Sequence, residues 1–184
     1  MPAEIESNFD VALWFLDRAL GEQEYLQPQK LQRLLYLAQA YYAVANPGRK
    51  LMPAVFVAAE MGPTEPSVYH ALATGRPYIE ARPLPEKVVL FLDGIWRRFG
   101  SHSADYLTRQ LKLHSPYVEA LRRGDRAEIT LQSMMAFYGR APHPPERAAP
   151  PVEQVLRSRM LQSHTGRPVA VRKWIPPTKT VEKE

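Results

Sequence analysis

The sequence predicts a mainly α protein: a compact single-domain helical bundle, with room for one small β-hairpin, continued by an extended C-terminal tail. Three observations lead there. Apolar residues recur at helical spacing in successive segments between residues 9 and 138, and capping residues, prolines and glycines fall between those segments. A chain of 184 residues with 45% hydrophobic residues has enough material for one core. After residue 139 the composition shifts to proline, alanine and arginine, which divides the chain into a domain of 1–139 and a basic tail of 140–184.

The first helix is expected over residues 9–20, capped by Ser7 or Asn8, with Phe9, Leu13, Leu16 and Leu20 inward and Trp14 widening the stripe. Gly21 ends it. The central helix covers residues 28–42, PQKLQRLLYLAQAYY. Pro28 suits a first helical turn, and Asn46, Pro47 and Gly48 form the stop. Leu31, Leu34, Leu35, Ala38, Tyr41 and Tyr42 make its apolar stripe, while Lys30, Gln32, Arg33, Tyr36 and Gln39 carry polar tips on the opposite side. Such a helix can serve a core with one face and a partner with the other. Two very short strands, near residues 50–52 and 55–59 and bounded by Pro53 and by Gly62-Pro63, fit the hairpin, with the start of a buried helix as the alternative for this segment.

A short helix then starts at Pro66 or Ser67 and runs through Val68, Tyr69, Leu72 and Ala73 to Gly75. Prolines 77, 83 and 85 punctuate a loop. From Glu86 a strongly amphipathic helix buries Val88, Val89, Leu92, Ile95, Trp96 and Phe99, with Asp93 and Gly94 on its exposed side. Ser101 or Ser103 caps the next helix, which places Ala104, Leu107 and Leu111 inward, with Tyr106 as a further candidate. The chain breaks at Ser115-Pro116, and a last body helix uses Leu131, Met134, Met135 and Tyr138. In the tail, residues 152–164 fit a three-turn helix with Val152, Val155, Leu156 and Met160 on one side. The peptide beyond it sets Val169, Val171, Trp174 and Ile175 among basic residues and prolines, and is expected to await a partner.

The charge is as uneven as the composition. Lys/Arg and Asp/Glu balance at 15 each in residues 1–139, whereas 9 against 4 in residues 140–184 carries the whole net charge of +5. A DNA-binding fold usually carries positive charge on the fold itself, so a neutral body argues against nucleic acid. Cysteine is absent, which rules out disulfides and thiolate chemistry. Neither a membrane-spanning run nor a signal-like N-terminus is visible, and the expected location is the cytoplasm.

Catalytic patterns are sparse. His70, His102, His114, His143 and His164 show no HExxH spacing and no metal-ligand clustering with carboxylates, and no phosphate-cradling glycine motif occurs, so no metal or cofactor is expected. His102, Ser103 and Asp105 stand almost in a row, but triad members converge in space and sequence adjacency is poor evidence for them. Trp96-Arg97-Arg98 reads as one helical turn with an inward indole. The body points to binding, not catalysis.

KLQRLLYLAQAYY, a turn, and then AAEMGPTEPSVYHAL resemble the core signature of the Panacea domain, the family of SocA-like antitoxins. Lys30, Leu31, Gln32, Leu34, Leu35, Tyr36, Ala38 and Gln39 match its central helix, and Ala59, Gly62, Pro63, Pro66, Val68 and Tyr69 its Gly-Pro segment. Trp96, Phe99, Gly100, Ser103, Ala104, Leu107, His114, Pro116, Tyr117, Ile129, Phe137 and Tyr138 extend the resemblance over residues 9–139. Glu60 stands where the family carries an aromatic residue, Thr64 replaces a valine, and LKLH replaces a Leu-Thr-His run. The resemblance implies an antitoxin that binds and neutralises a cognate protein toxin, one branch acting as an adaptor that delivers it to a ClpXP-type protease. The candidate contacts are Lys30, Tyr36, Gln39, Tyr42, Glu60 and Tyr69 on the body and Trp174 and Ile175 in the tail. The alternatives are a nucleic-acid-binding regulator that uses the basic tail, and an enzyme if folding brings His102 or His114 beside a carboxylate in a pocket.

Overall fold

A computed structural model describes residues 1–140, 149–156, 160–162 and 168–170. The fold is mainly α, as expected. In chain order it runs α1 (Asn8–Gly21), α2 (Pro28–Ala45), β1 (Phe56–Ala59), β2 (Gly62–Thr64), α3 (Pro66–Ala71), α4 (Glu86–Phe99), α5 (Ala104–Leu113), α6 (Ser115–Arg123), β3 (Glu128–Ile129), α7 (Leu131–Tyr138), α8 (Val152–Leu156), β4 (Met160–Gln162) and β5 (Pro168–Ala170). Helix α2 is the axis: α1, α4, α5, α7, α8 and β2 all pack on it. Every residue from Lys30 to Ala43 is buried, a result the one-sided stripe did not anticipate.

Local chemistry explains most boundaries. Ser7 Oγ accepts from the Phe9 N–H at 3.2 Å, Ser103 Oγ from Tyr106 at 3.1 Å and Thr130 Oγ1 from Ser133 at 3.2 Å, so each satisfies an orphan donor of a first turn. Helix α3 is capped by Glu65, whose carboxylate accepts from the Val68 N–H at 2.7 Å. His114, extended at φ −76° and ψ 138°, separates α5 from α6, so the break falls one residue before the expected Ser115. Pro116 then lies buried in the first turn of α6.

Four expectations need correction. In α1 the buried stripe is Val11, Ala12, Phe15 and Ala19 with Leu13, while Leu20 is 69% exposed. Helix α1 packs against α2 and α3. The partner of β1 is not 50–52 but Gly62–Thr64, joined through a two-residue turn at Glu60 and Met61 with Ala59 opposite Gly62 and Val57 opposite Thr64. Residues 50–52 instead pair with the N-terminus, where the Glu4 N–H donates to Lys50 O at 2.8 Å and Ile5 to Leu51 O at 3.1 Å. β3 adds a third antiparallel strand to β1, opposite β2. Gly94 does not face solvent: a Cβ there would stand 3.2 Å from Val155 O, because α8 crosses α4 at this point.

The fourth correction concerns residues 152–164. Helix α8 covers Val152–Leu156, and Met160–Gln162 forms a strand paired antiparallel with Pro168–Ala170, so ladder pairing replaces helical hydrogen bonds at 160–162. Val155 is buried and the Tyr41 hydroxyl donates to Pro150 O at 2.7 Å, so the first part of the tail belongs to the packed body. Trp174 and Ile175 lie outside the described residues.

Candidate partner-binding groove

The polar side of α2 turns inward, and Gln32, Arg33 and Gln39 are committed to backbone groups of other segments. Arg33, 1% exposed, donates from Nη1 to Pro63 O at 2.5 Å, from Nη2 to Met61 O and from Nε to Thr108 Oγ1 at 2.9 Å. Gln32 Oε1 accepts from the Glu65 N–H at 2.7 Å. Gln39 clamps Met52 both ways: its Nε2 donates to Met52 O and its Oε1 accepts from Met52 N–H, each at 3.1 Å. Lys30 Nζ donates to Glu24 Oε1 at 2.5 Å and sits 5.7 Å from the Trp96 ring, whose Nε1 donates to Glu22 at 3.0 Å. Tyr36 packs edge-on against Phe56, and Tyr42 against Phe91.

Lys30, Tyr36, Gln39 and Tyr42 are therefore corrected from contact residues to core residues. The physical reason is that α2 is surrounded by short irregular segments whose backbone groups need partners, and long polar side chains reach them. No helical periodicity carries that information. Leu31, Leu34 and Leu35 are buried as expected.

The Arg33 contacts also explain the Gly-Pro segment. Met61 O and Pro63 O lie two residues apart on the outer edge of β2, away from β1, and the guanidinium covers that edge. Pro63 stands opposite Ala58 at a position where its missing N–H costs no ladder bond. Gly62 adopts φ +109°, and a Cβ there would lie 2.9 Å from Arg33 Cζ. Burial lowers the Arg33 guanidinium to about 10, still charged at neutral pH, and no carboxylate pairs with it among the described residues.

The other face of the hairpin is open. Glu60 and Met61 at the turn, Tyr69 and His70 on α3, and Asp125 and Arg126 before β3 line a groove of about 400 Å³ with Val57, Ala59, Thr64 and Pro66. Met61 is 56% exposed and Tyr69 48%. Beneath it the Tyr117 hydroxyl donates to Ala59 O at 2.8 Å. Burial, and then Asp125 and Glu60, raise the Tyr117 phenol, against the opposing influence of Arg33. Two contact residues expected from sequence, Glu60 and Tyr69, thus meet in one groove; Met61, His70, Asp125 and Arg126 were missed. A two-residue turn opposite Gly62 would have pointed to Met61, but nothing in the sequence brings residues 125–126 there.

His102 and His114 do meet at one cavity, together with Tyr41, Arg98, Tyr106, Gln110 and Tyr138. Among the described residues no Asp or Glu lines it. Ser103 Oγ accepts from the Tyr106 N–H as the cap of α5. Among the described residues no group of three metal-ligating side chains converges and no helix is long and apolar enough to cross a membrane. Comparison with protein-family models, curated proteins and solved structures finds no match to this chain.

Proposed function

We propose that this protein is an antitoxin that binds and neutralises a cognate protein toxin, with the groove beside the β1–β2 turn as the docking site. The observation that carries the reading is the juxtaposition of half-exposed Met61 and Tyr69 with Glu60, His70, Asp125 and Arg126 on a rigidly braced turn. Interfaces draw their energy from a few large side chains seated among polar groups, and an aromatic ring and a flexible thioether flanked by charges of both signs suit that pattern. Arg33 fixes the turn from inside, so the groove is pre-organised and little ordering cost falls on association. The sequence resemblance to SocA-like antitoxins supports the same reading. Delivery to a ClpXP-type protease would fall to the tail, where Trp174 and Ile175 supply a short apolar ligand.

The test is co-expression. Each gene adjacent to this one is induced alone and together with it; the proposal expects toxicity from one neighbour, relieved by this protein and not by its Glu60→Arg/Tyr69→Ala variant. Absence of toxicity from both neighbours, or relief by the groove variant equal to that by the parent, overturns it.

A further inference from the structure

We propose that the cavity where α4 and α5 meet the second half of α2 is a binding site for a small oxyanion, held by Arg98, His102 and Tyr106. It is separate from the docking groove and does not depend on that assignment.

The sequence sets the three side chains at intervals of four across the α4–α5 junction, Arg98 in the last turn of α4, His102 in the connection and Tyr106 in the first turn of α5. The connection is short and held, with the His102 N–H donating to Phe99 O at 3.1 Å. His102 stacks on Tyr106 with ring centroids 4.5 Å apart and planes inclined by 29°, which fixes the imidazole at the mouth. Arg98 and Tyr106 are exposed at the rim, while Tyr41, Leu107, Leu111, His114 and Tyr138 form a buried floor and Ala149 and Pro150 close one side. The Tyr41 hydroxyl is already given to Pro150 O and that of Tyr138 lies 2.9 Å from His114 Nδ1, so the groups open to a ligand are those of the rim and Gln110.

The electrostatics favour an anion. Six cations between Arg18 and Lys87 are paired with carboxylates, whereas Arg98 has no carboxylate within ion-pair distance among the described residues. The groups facing His102 are Arg98 on α4, Lys30 on α2 and Tyr106 on α5; burial first, then Arg98 and Lys30, hold its imidazole below the ordinary value. Arg98 is the one arginine or lysine of the lining and no carboxylate joins it among the described residues, so an oxyanion seated there would take a charge-assisted hydrogen bond from the guanidinium. The volume is about 80 Å³, against the roughly 10–15 Å³ one water requires, so it admits a carboxylate or a phosphate and not a nucleotide.

Titration of the full chain with sodium phosphate and with sodium acetate, each against sodium chloride at equal ionic strength, tests this by NMR of the His102 Cε1–H signal. A saturable shift with a raised His102 pKa is expected with at least one oxyanion, and the arm that saturates identifies it. Arg98→Gln should weaken binding about tenfold or more while leaving the thermal unfolding curve in place, since Arg98 is on the rim. A shift that stays linear with both oxyanions and matches chloride, or equal affinity in the Arg98→Gln variant, overturns the proposal.

Discussion

The Arg33 guanidinium reaches across 30 residues to hold the Pro63 carbonyl at 2.5 Å, a buried cation whose partners are backbone carbonyls and a hydroxyl in place of a carboxylate. A core helix thereby sets the shape of a surface turn. Replacing Arg33 with methionine would remove a desolvated charge, which favours the variant, and orphan two carbonyls, which costs roughly 1–3 kcal/mol each. The second effect should win, with a net loss of roughly 2 kcal/mol in urea unfolding. Arg33→Lys should be worse than Arg33→Met, because an ammonium stays charged yet cannot span three acceptors in a plane. A methionine variant more stable than the parent would show that the carbonyls find other partners.

Core and groove should separate cleanly under mutation. Gln39→Ala leaves the Met52 N–H and C=O unpaired in the interior and should lower stability by roughly 2 kcal/mol or more. Tyr69→Ala, at a half-exposed position, should change it by no more than about 0.5 kcal/mol yet abolish toxin neutralisation. Thermal melts and growth-rescue assays on the same two variants check both halves.

Gly94 gives a handle on the packed start of the tail. Alanine for glycine within a helix ordinarily gains about 1 kcal/mol, but here the new methyl presses on Val155 O. Gly94→Leu should leave the bundle folded and release α8, seen as faster amide exchange across Val152–Leu156 with unchanged protection in α2. Unchanged exchange in α8 would refute the docking. A tail truncation meant to spare the body accordingly belongs after residue 156, since cutting at 140 also removes Val155 and the Pro150 acceptor of Tyr41.

Glu4 ties the N-terminus to α2 and α4. Lys87 first, then Tyr42 and Arg49, hold its carboxyl below the ordinary value, against burial. Stability from a carboxylate depressed in the folded state is present above the unfolded pKa of 4.5 and is lost as pH falls through the folded value. Glu4→Gln should therefore lower Tm at pH 7, with the difference from the parent shrinking steadily below pH 4.5. A difference independent of pH would assign the effect to packing.

Much of the helical layout was legible because caps, prolines and apolar spacing act locally: Ser7 and Ser103 each cap the helix they precede, and His114-Ser115-Pro116 breaks the chain where two helices meet. The candidate site was half legible. Glu60 and Tyr69 stand in a turn and a short helix flanking Gly62-Pro63, whereas Asp125 and Arg126 enter the same groove through the β1–β3 pairing, more than sixty residues away.

By itself the sequence determined the helical class of the fold, the neutrality of the body and the concentration of positive charge after residue 139, since these follow from composition and short-range spacing. Only the tertiary structure decided that the polar face of α2 is interior, that Gly94 is a crossing point and that His102 joins Arg98 at one recess. The reason is that a long polar side chain has the same pattern in sequence whether it ends in water or on a buried carbonyl, and the choice rests with whichever distant segment arrives with an unmet hydrogen bond.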